Sequence, residues 1–376
     1  MSFPWSVLAG SLVLSFLATA LLMPVARSIG WVDKPSVRKD HQGLIPLIGG
    51  WAILITLAVM QFIGPAGQCA PLGYWLGGLL LFSVALVDDR FPIRARWRAM
   101  VQVGAAVAAV GLGGRFLPSV GDVLGVGLGL GLLSNPWVML PLSLVGTVAV
   151  INAVNFTDGA DGLCGGLSFI SLMWFAVALV FASQAAQAAG ITPEPFAGAM
   201  VPMAAALMGG LAGFLWFNLR SPLRSRAAVF LGDSGSMLLG FTLAWFAIHA
   251  TSAYGSASVK PVVSLWIVAV PLADSASCIV RRIRAGVTPM TPDLKHLHHL
   301  VVRLGLTPGQ GVFAIHVGSF LCGLVGVGGW LLGFSERALF GTFVLVLLVF
   351  IAWSNLAWAR LDGAQKKVTA DDPVSL

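Results

Sequence analysis

The sequence predicts an all-α fold: a polytopic membrane helix bundle with about 11 transmembrane helices. Two features of the composition support this prediction. Of the 376 residues, 57% are hydrophobic and only 10% are charged, whereas about a quarter of the residues in a soluble domain are charged. Apolar stretches of roughly 18 residues or more, long enough to cross a bilayer as a helix, recur along the chain. The predicted spans lie near 5–26, 47–64, 72–87, 99–116, 137–153, 166–182, 198–217, 236–250, 261–279, 312–334 and 338–358.

The basic residues predict the orientation of these spans. No Lys or Arg precedes the first span, so it does not resemble a cleaved signal peptide, and Arg27 behind it favours an N-terminus outside. Alternating from there, nearly all of the 22 Lys and Arg residues fall on one side; the exceptions are Arg115, Lys260 and Arg337. This is a positive-inside pattern, which predicts a periplasmic N-terminus and a cytoplasmic C-terminus. We expect one integral-membrane domain over 1–360 and a disordered cytoplasmic tail over 361–376.

The placement of polar residues favours an enzyme over a transporter. A transporter needs ionisable groups near the middle of the membrane, but here they gather in the predicted cytoplasmic loops. The net charge of +7 is explained by topology and lipid headgroups, so we expect contact with the lipid bilayer and no nucleic acid as a partner. The four cysteines have no paired spacing, which indicates neither a disulfide framework nor a zinc site.

The first polar motif is the carboxylate pair Asp88 and Asp89 at the end of the third predicted span. Arg94, Arg96 and Arg98 follow it. Two adjacent carboxylates where lipid meets water can hold a divalent cation or share a proton. The alternative is an ordinary charged helix end balanced by arginines, which costs free energy so close to hydrocarbon.

The second motif follows the fifth predicted span and contains Asn152, Asn155, Asp158 and Asp161. Their oxygens suit Mg²⁺, and the carboxylates can also accept hydrogen bonds from a nucleotide base or a ribose. Asx turns and a helix cap are the alternative, but they explain about two of the four residues.

The third motif is residues 230–236, in which Asp233 lies in a Gly-rich turn that opens the eighth predicted span. Free N–H groups at a helix N-terminus bind anions, and an aspartate there can hold the metal that neutralises them. The alternative is that Asp233 or Ser234 only caps the helix.

The fourth motif combines Arg281 and Arg282 with His296, His298 and His299. No Cys or Glu stands at zinc-ligand spacing nearby, so we interpret these histidines as contacts for phosphate and sugar. A weaker element, residues 33–41, either closes over a nucleotide or is simply a basic loop. Acidic, basic and histidine residues on one membrane face together indicate metal-assisted phosphoryl transfer from a diphosphate donor to a lipid acceptor.

In this order, the four motifs resemble those of the polyprenyl-phosphate N-acetylhexosamine-1-phosphate transferase family (glycosyltransferase family 4). The resemblance covers residues from about 33 to 310. Within the family, the Arg-Arg stretch and His-Leu-His-His are most similar to the bacterial undecaprenyl-phosphate N-acetylglucosamine-1-phosphate transferases. Lys295 stands where Arg is expected, and Thr-Pro-Met replaces Ser-Pro-Phe. The donor sugar is therefore left open among UDP-N-acetylhexosamines and UDP-muramyl pentapeptide.

The resemblance implies a role for each motif residue. It implies transfer of N-acetylglucosamine-1-phosphate from its UDP donor to undecaprenyl phosphate at the cytoplasmic face of a bacterial inner membrane, for O-antigen or related envelope polysaccharides. Mg²⁺, or Mn²⁺ in its place, is held by Asp233 and Asn155. The implied catalytic residues are Asp88, Asp89, Asp158, Asp161 and His298. The implied substrate-binding residues are Arg98, Asn152, Asp158, Asp161, Arg281, Arg282, His296, His298 and His299. A homodimer is left open.

Overall fold

The computed structural model describes residues 3–33, 43–63, 70–113, 115–125, 131, 133–221, 224–288 and 295–371. Several residues considered above lie outside this description. They include most of the loop at 33–41 and the last two residues of Thr-Pro-Met; Cys69, one of the four cysteines, and Asp293, between the arginines and histidines of the fourth motif, also lie outside it.

The described chain is a bundle of α-helices, which confirms the predicted all-α fold. The helices are α1 Trp5–Ser28, α2 Gly49–Ile63, α3 Leu72–Arg90, α4 Ala95–Gly113, α5 Pro136–Asn155, α6 Leu163–Ala188, α7 Ala197–Asn218, α8 Gly232–His249, α9 Pro261–Ile267, α10 Ala269–Arg284, α11 Leu297–Arg303, α12 Pro308–Leu331 and α13 Glu336–Asp371. Two short strands, β1 Val32–Asp33 and β2 Ile45–Pro46, pair antiparallel ahead of α2, with Val32 opposite Pro46.

Each of the eleven predicted spans falls on a helix or, for 261–279, on the helix pair α9 and α10. Within the described residues, seven helices are long and apolar enough to cross a membrane, and an eighth span is added if α9 and α10 count as one. That pair is bent by 47°. The protein is thus a multi-pass membrane protein, while the count of eleven spans and the orientation of the termini stay predictions.

The last helix continues through Asp371, so it runs into the segment 361–376 for which the sequence predicts a disordered tail. The predicted division of the chain into a membrane domain and a tail stays a prediction.

Helices α6 and α7 lie at the centre of the bundle, and α1 and α13 lie at its edge. In the most apolar part of α7, 83% of the residues are buried, against 17% in α1 and in α13. The exposed apolar side chains of α1 and α13 therefore face the position of lipid, since a helix that is apolar all round needs either protein or hydrocarbon around it.

Helix α1 packs closely on α7 because two glycines of α7 have no side chain. A Cβ on Gly209 would lie 2.2 Å from the Leu8 carbonyl oxygen, and one on Gly213 would lie 2.6 Å from that of Leu12. Small residues four apart let helix backbones approach in this way within membranes. The contact is reinforced by Ser15, whose hydroxyl donates a 2.6 Å hydrogen bond to the Gly210 carbonyl.

Candidate active site

The four polar motifs of the sequence meet at one end of the bundle. Asp89 at the end of α3 contacts the start of α8, and Asn155 at the end of α5 contacts Asp233. The loop after α5 touches the histidine motif, where a Cβ on Gly159 would lie 2.4 Å from Nε2 of His298. Segments separated by more than a hundred residues in the chain therefore form a single polar cluster.

Asp89 holds the N-terminus of α8. Its Oδ1 accepts a 2.7 Å hydrogen bond from the backbone N–H of Asp233, and its Oδ2 accepts 2.7 Å and 3.3 Å hydrogen bonds from the hydroxyl and the backbone N–H of Ser234. These N–H groups have no partner within the helix, so a carboxylate from α3 satisfies them and complements the helix dipole. Gly232, with φ of 79°, carries the chain past this carboxylate where a Cβ would be 2.9 Å from Asp89 Oδ2.

Asp88, its neighbour, is buried and paired with Arg98. Oδ2 of Asp88 accepts a 3.0 Å hydrogen bond from Nη1 of Arg98, and Oδ1 accepts a 2.6 Å bond from the backbone N–H of Ile93. The same Nη1 lies 3.8 Å from Oδ2 of Asp233. Arg98 thus links the two carboxylates, and its side chain stays partly exposed.

Asn155 and Asp233 are direct neighbours. Nδ2 of Asn155 donates 2.8 Å and 2.9 Å hydrogen bonds to Oδ1 of Asp233 and to the hydroxyl of Ser236. Their helices pack without a gap, because a Cβ on Gly240 of α8 would lie 2.7 Å from Cα of Ile151 in α5. Oδ2 of Asp233 lies 3.8 Å from Nη1 of Arg98, and the metal site at Asn155 and Asp233 stays a prediction.

Asn152 is bound to a residue that the sequence analysis did not single out. Its Nδ2 donates a 2.7 Å hydrogen bond to Oε1 of Gln102, and its Oδ1 accepts a 3.3 Å bond from Nε2 of the same residue. Gln102 is buried in α4. A lone amide in an apolar helix was the signal that could have indicated it, because a polar group at membrane depth needs a partner. Asn152 is thus engaged by protein.

Asp158 and Asp161, in the loop between α5 and α6, have different surroundings. Asp161 is engaged by protein: its Oδ2 accepts a 2.8 Å hydrogen bond from Nε of Arg220 and a 3.2 Å bond from the backbone N–H of Ala227. The side chain of Asp158 is exposed to solvent on one side, and other parts of the protein lie around the rest of it. Partial removal from water and the nearby carboxylates of Asp233, Asp89 and Asp161 raise the pKa of Asp158 well above its ordinary value.

His296 is held by Asp274, a residue whose sequence context leaves open whether it pairs with a basic neighbour such as Arg281 or touches substrate. Nδ1 of His296 lies 2.9 Å from Oδ2 of Asp274 and 3.5 Å from Sγ of Cys278. Burial opposes a charge on His296, but the hydrogen bonds to Asp274 and Cys278 and the negative charge of Asp274 outweigh it and raise its pKa to about 10. Cys278 is therefore part of a polar contact, although the spacing of the cysteines indicated no special role for it.

His298 has the opposite environment. It is buried, and its Nε2 has no hydrogen-bond partner within the described part of the chain. Burial and the neighbouring rings of His299 and His296 lower its pKa to about 3. The rings of His296 and His298 are parallel, with centroids 5.9 Å apart, and the centroid of His299 is 4.1 Å from that of His298. The three predicted histidines therefore lie together. Of these, His296 is positively charged and His298 is neutral.

The two arginines of the fourth motif lie behind these histidines. Arg282 is buried with its guanidinium 6.0 Å from the ring centroid of Phe156. Arg281 donates hydrogen bonds to the Lys295 carbonyl and to Sγ of Cys278, and it lies 5.8 Å from the ring of Trp358 on α13. Arg281 therefore supports the histidine segment and Arg282 packs on Phe156, and their predicted contact with substrate stays a prediction.

The acidic cluster fits a hard divalent cation through its donor set. Asp233 and Asn155 would contribute oxygens, and Mg²⁺ usually takes only one or two carboxylates, with water and substrate phosphates completing its shell. Across the described residues, the one group of three His, Cys, Asp or Glu ligand atoms close enough to share an ion is instead Asp274, Cys278 and His296.

The structure is thus an apolar helical bundle whose polar end is built of carboxylates, amides and histidines. The chain belongs to glycosyl transferase family 4: that family's model matches residues 71–251. This confirms the family indicated by the motifs.

Three curated relatives share one name, undecaprenyl-phosphate alpha-N-acetylglucosaminyl 1-phosphate transferase. The Yersinia pestis protein is 36% identical over 350 residues, which is 89% of this chain and 87% of the relative. The Escherichia coli K12 protein is 35% identical over 328 residues, covering 84% of this chain and 82% of the relative. The Haemophilus influenzae protein is 34% identical over 352 residues, covering 92% and 94%.

Proposed function

We propose that this protein transfers N-acetylglucosamine-1-phosphate from UDP-N-acetylglucosamine to undecaprenyl phosphate and releases UMP. The observation that supports this most directly is the meeting of Asp89, Asn155, Asp233 and the histidine segment at one end of an apolar bundle. The names of the relatives, which span nearly the same length as this chain, support the donor sugar and the lipid acceptor.

The chemistry is a displacement at phosphorus. An oxygen of the acceptor phosphate forms a bond to the sugar-bearing phosphorus of the donor. The bond from that phosphorus to the oxygen bridging the two phosphates breaks, and UMP leaves with the electron pair. Such a reaction depends mainly on positioning and on stabilising negative charge.

Asp233 and Asn155 are the residues that would hold Mg²⁺, or Mn²⁺ in its place. When bound, the cation neutralises the diphosphate and the leaving UMP. Arg98, held by Asp88 beside Asp233, would contact the acceptor phosphate. Because protein donors already engage Asp88 and Asp89, we assign them positioning roles.

Asp158 would contact the donor, since its carboxylate reaches solvent in the middle of the cluster. His296, His298 and His299 would contact the diphosphate and sugar from the opposite side. Asp161 and Asn152, bound to Arg220 and Gln102, would shape the loop rather than bind substrate. The site would face the cytoplasm of a bacterial inner membrane, because the basic loops lie on that side, and the product would begin O-antigen or a related polysaccharide.

A donor panel tests this proposal. Purified protein in detergent is given undecaprenyl phosphate and Mg²⁺ with UDP-N-acetylglucosamine, UDP-N-acetylgalactosamine or UDP-muramyl pentapeptide, and UMP release is measured. We expect release with the first donor. If UMP is released with another donor alone, the proposed donor sugar is wrong but the proposed reaction class stands. Uptake of nucleotide-sugar into vesicles without UMP release would identify a transporter instead.

A further inference from the structure

The contacts of Asp274 carry an inference that rests on the proposed function and deepens it. We propose that Asp274 is the positioning residue of the donor site, fixing the orientation and the positive charge of His296 so that this ring meets the donor diphosphate.

The carboxylate of Asp274 makes two contacts with the histidine segment. Oδ2 lies 2.9 Å from Nδ1 of His296, and Oδ1 accepts a 2.8 Å hydrogen bond from the backbone N–H of Leu297. Leu297 begins α11, so this backbone N–H is among those left without a partner inside that helix. One buried side chain of α10 therefore sets both the ring of His296 and the start of the helix that carries His298 and His299.

The ring of His296 lies beside the loop that follows Asn155. Nδ1 of His296 is already occupied. A ligand can therefore contact only the other ring nitrogen, Nε2, which has no hydrogen-bond partner among the described residues. The ring packs against Phe156, with centroids 5.4 Å apart. Phe156 directly follows Asn155, the amide that binds Asp233. His296 is thus next to the site where the donor's phosphates would bind the cation.

The charge of His296 depends on its neighbours on several elements. These are Asp274, Cys278, Arg281 and Arg282 on α10, Lys295 just before it, and His298 and His299 on α11. Of the acids in the described residues, Asp274 is the one that touches the ring. A doubly protonated imidazole donates a charge-assisted hydrogen bond to phosphate, which is about twice as strong as a neutral one. Burial opposes that charge, so removing the carboxylate would neutralise the ring.

A metal ion shared by Asp274, Cys278 and His296 is the competing interpretation of the same residues. The contacts argue against it. Nη2 of Arg281 lies 3.2 Å from Sγ of Cys278, where a guanidinium would repel a cation. Both oxygens of Asp274 are also occupied by protein donors. An internal ion network accounts for the cluster without a metal.

The decisive variant is Asp274→Asn, because an amide oxygen can still accept from the Leu297 N–H while the negative charge is lost. We expect the KM for the UDP-sugar to rise about tenfold to a hundredfold at pH 8, because the donor loses one charge-assisted hydrogen bond. The KM for the lipid should stay within about twofold. Any recovery of activity should require a pH below about 6.5, since burial lowers the pKa of a histidine that has lost its carboxylate partner. In a His296→Ala background, Asp274→Asn should add nothing further.

Asp362→Asn is the matched control. It removes a carboxylate that pairs with Lys295, the residue next to His296, without touching the ring. We expect its donor KM and its pH profile to match those of the wild type. Equal rises in the donor and lipid KM values in Asp274→Asn, or the same shift in Asp362→Asn, would overturn the proposal.

A second measurement does not need turnover. Protein labelled with ¹⁵N-histidine is examined by NMR in detergent, and His296→Gln identifies the signal. We expect His296 to be protonated on both nitrogens at pH 8 in the wild type and neutral in Asp274→Asn. A neutral wild-type ring, or zinc that copurifies and is lost in Cys278→Ser, would overturn the proposal. If the wild type releases no UMP with any donor, the proposed function fails. The NMR measurement still decides whether Asp274 keeps His296 protonated.

Discussion

Replacing Asp89 tests whether its carboxylate stabilises the fold or acts directly on the substrate. In the structure it accepts three hydrogen bonds from the first turn of α8. A hydrogen bond to a charged partner contributes about 1.5–3 kcal/mol, and an anion at a helix N-terminus adds about 0.3–1 kcal/mol. Because three donors share one carboxylate, their contributions do not add fully, and we expect Asp89→Ala to lower the free energy of unfolding by about 2–4 kcal/mol.

This loss is large enough to see in thermal unfolding. At about 2–4 °C per kcal/mol, Asp89→Ala should lower Tm by roughly 5–15 °C. Asp89→Asn should fall between this variant and the wild type, because it keeps one acceptor oxygen. A thiol-reactive dye can follow unfolding in detergent, since Cys164 and Cys278 are buried and react only when the bundle opens.

The control is Asp122→Asn, which breaks an ion pair with Arg337 between two exposed side chains. Exposed pairs contribute about 0–1 kcal/mol, so Tm should hardly change. If Asp89→Ala melts like the wild type but loses all activity at every Mg²⁺ concentration, Asp89 acts on the substrate directly and our interpretation of it as a positioning residue is wrong.

The remaining predictions concern the metal and the donor. Asp233→Asn should abolish most activity and blunt the response to Mg²⁺ while Tm stays within a few degrees; an unchanged Mg²⁺ optimum would contradict the metal assignment. Gly159→Ala should raise the donor KM, because its Cβ would lie 2.4 Å from Nε2 of His298; Gly318→Ala, with open space around it, is the matched control and should match the wild type. His298→Ala should also weaken donor use more than lipid use, and equal KM values would argue against a donor contact.

The helical fold could be predicted from the sequence because each membrane span is indicated by apolar residues that are contiguous in the chain. Each predicted span has a helix, and the polar motifs were found from their residues alone. What the pattern could not predict is pairing across the bundle. The contact of Gln102 with Asn152 joins α4 to α5, and nothing in local sequence indicates which helices become neighbours.

The same limit applies to the carboxylates. Asp88 and Asp89 are adjacent in sequence and were interpreted as one carboxylate pair. In the structure, successive positions on α3 face different neighbours, so Asp88 pairs with Arg98 and Asp89 with the start of α8. Asp274 was left without a role because its partner, His296, lies 22 residues further along the chain. Roles at this site are decided by long-range contacts, which only the folded chain reveals.

We expect this end of the bundle to join a UDP-sugar to a lipid phosphate with the help of a divalent cation. Purified protein should be incubated with radiolabelled UDP-N-acetylglucosamine, undecaprenyl phosphate and Mg²⁺, and both UMP and the lipid-linked sugar should be quantified. Our account predicts equal amounts of the two products, dependence on the lipid, and loss of both with EDTA or in Asp233→Asn. UMP release without lipid, or products that persist in EDTA, would contradict it.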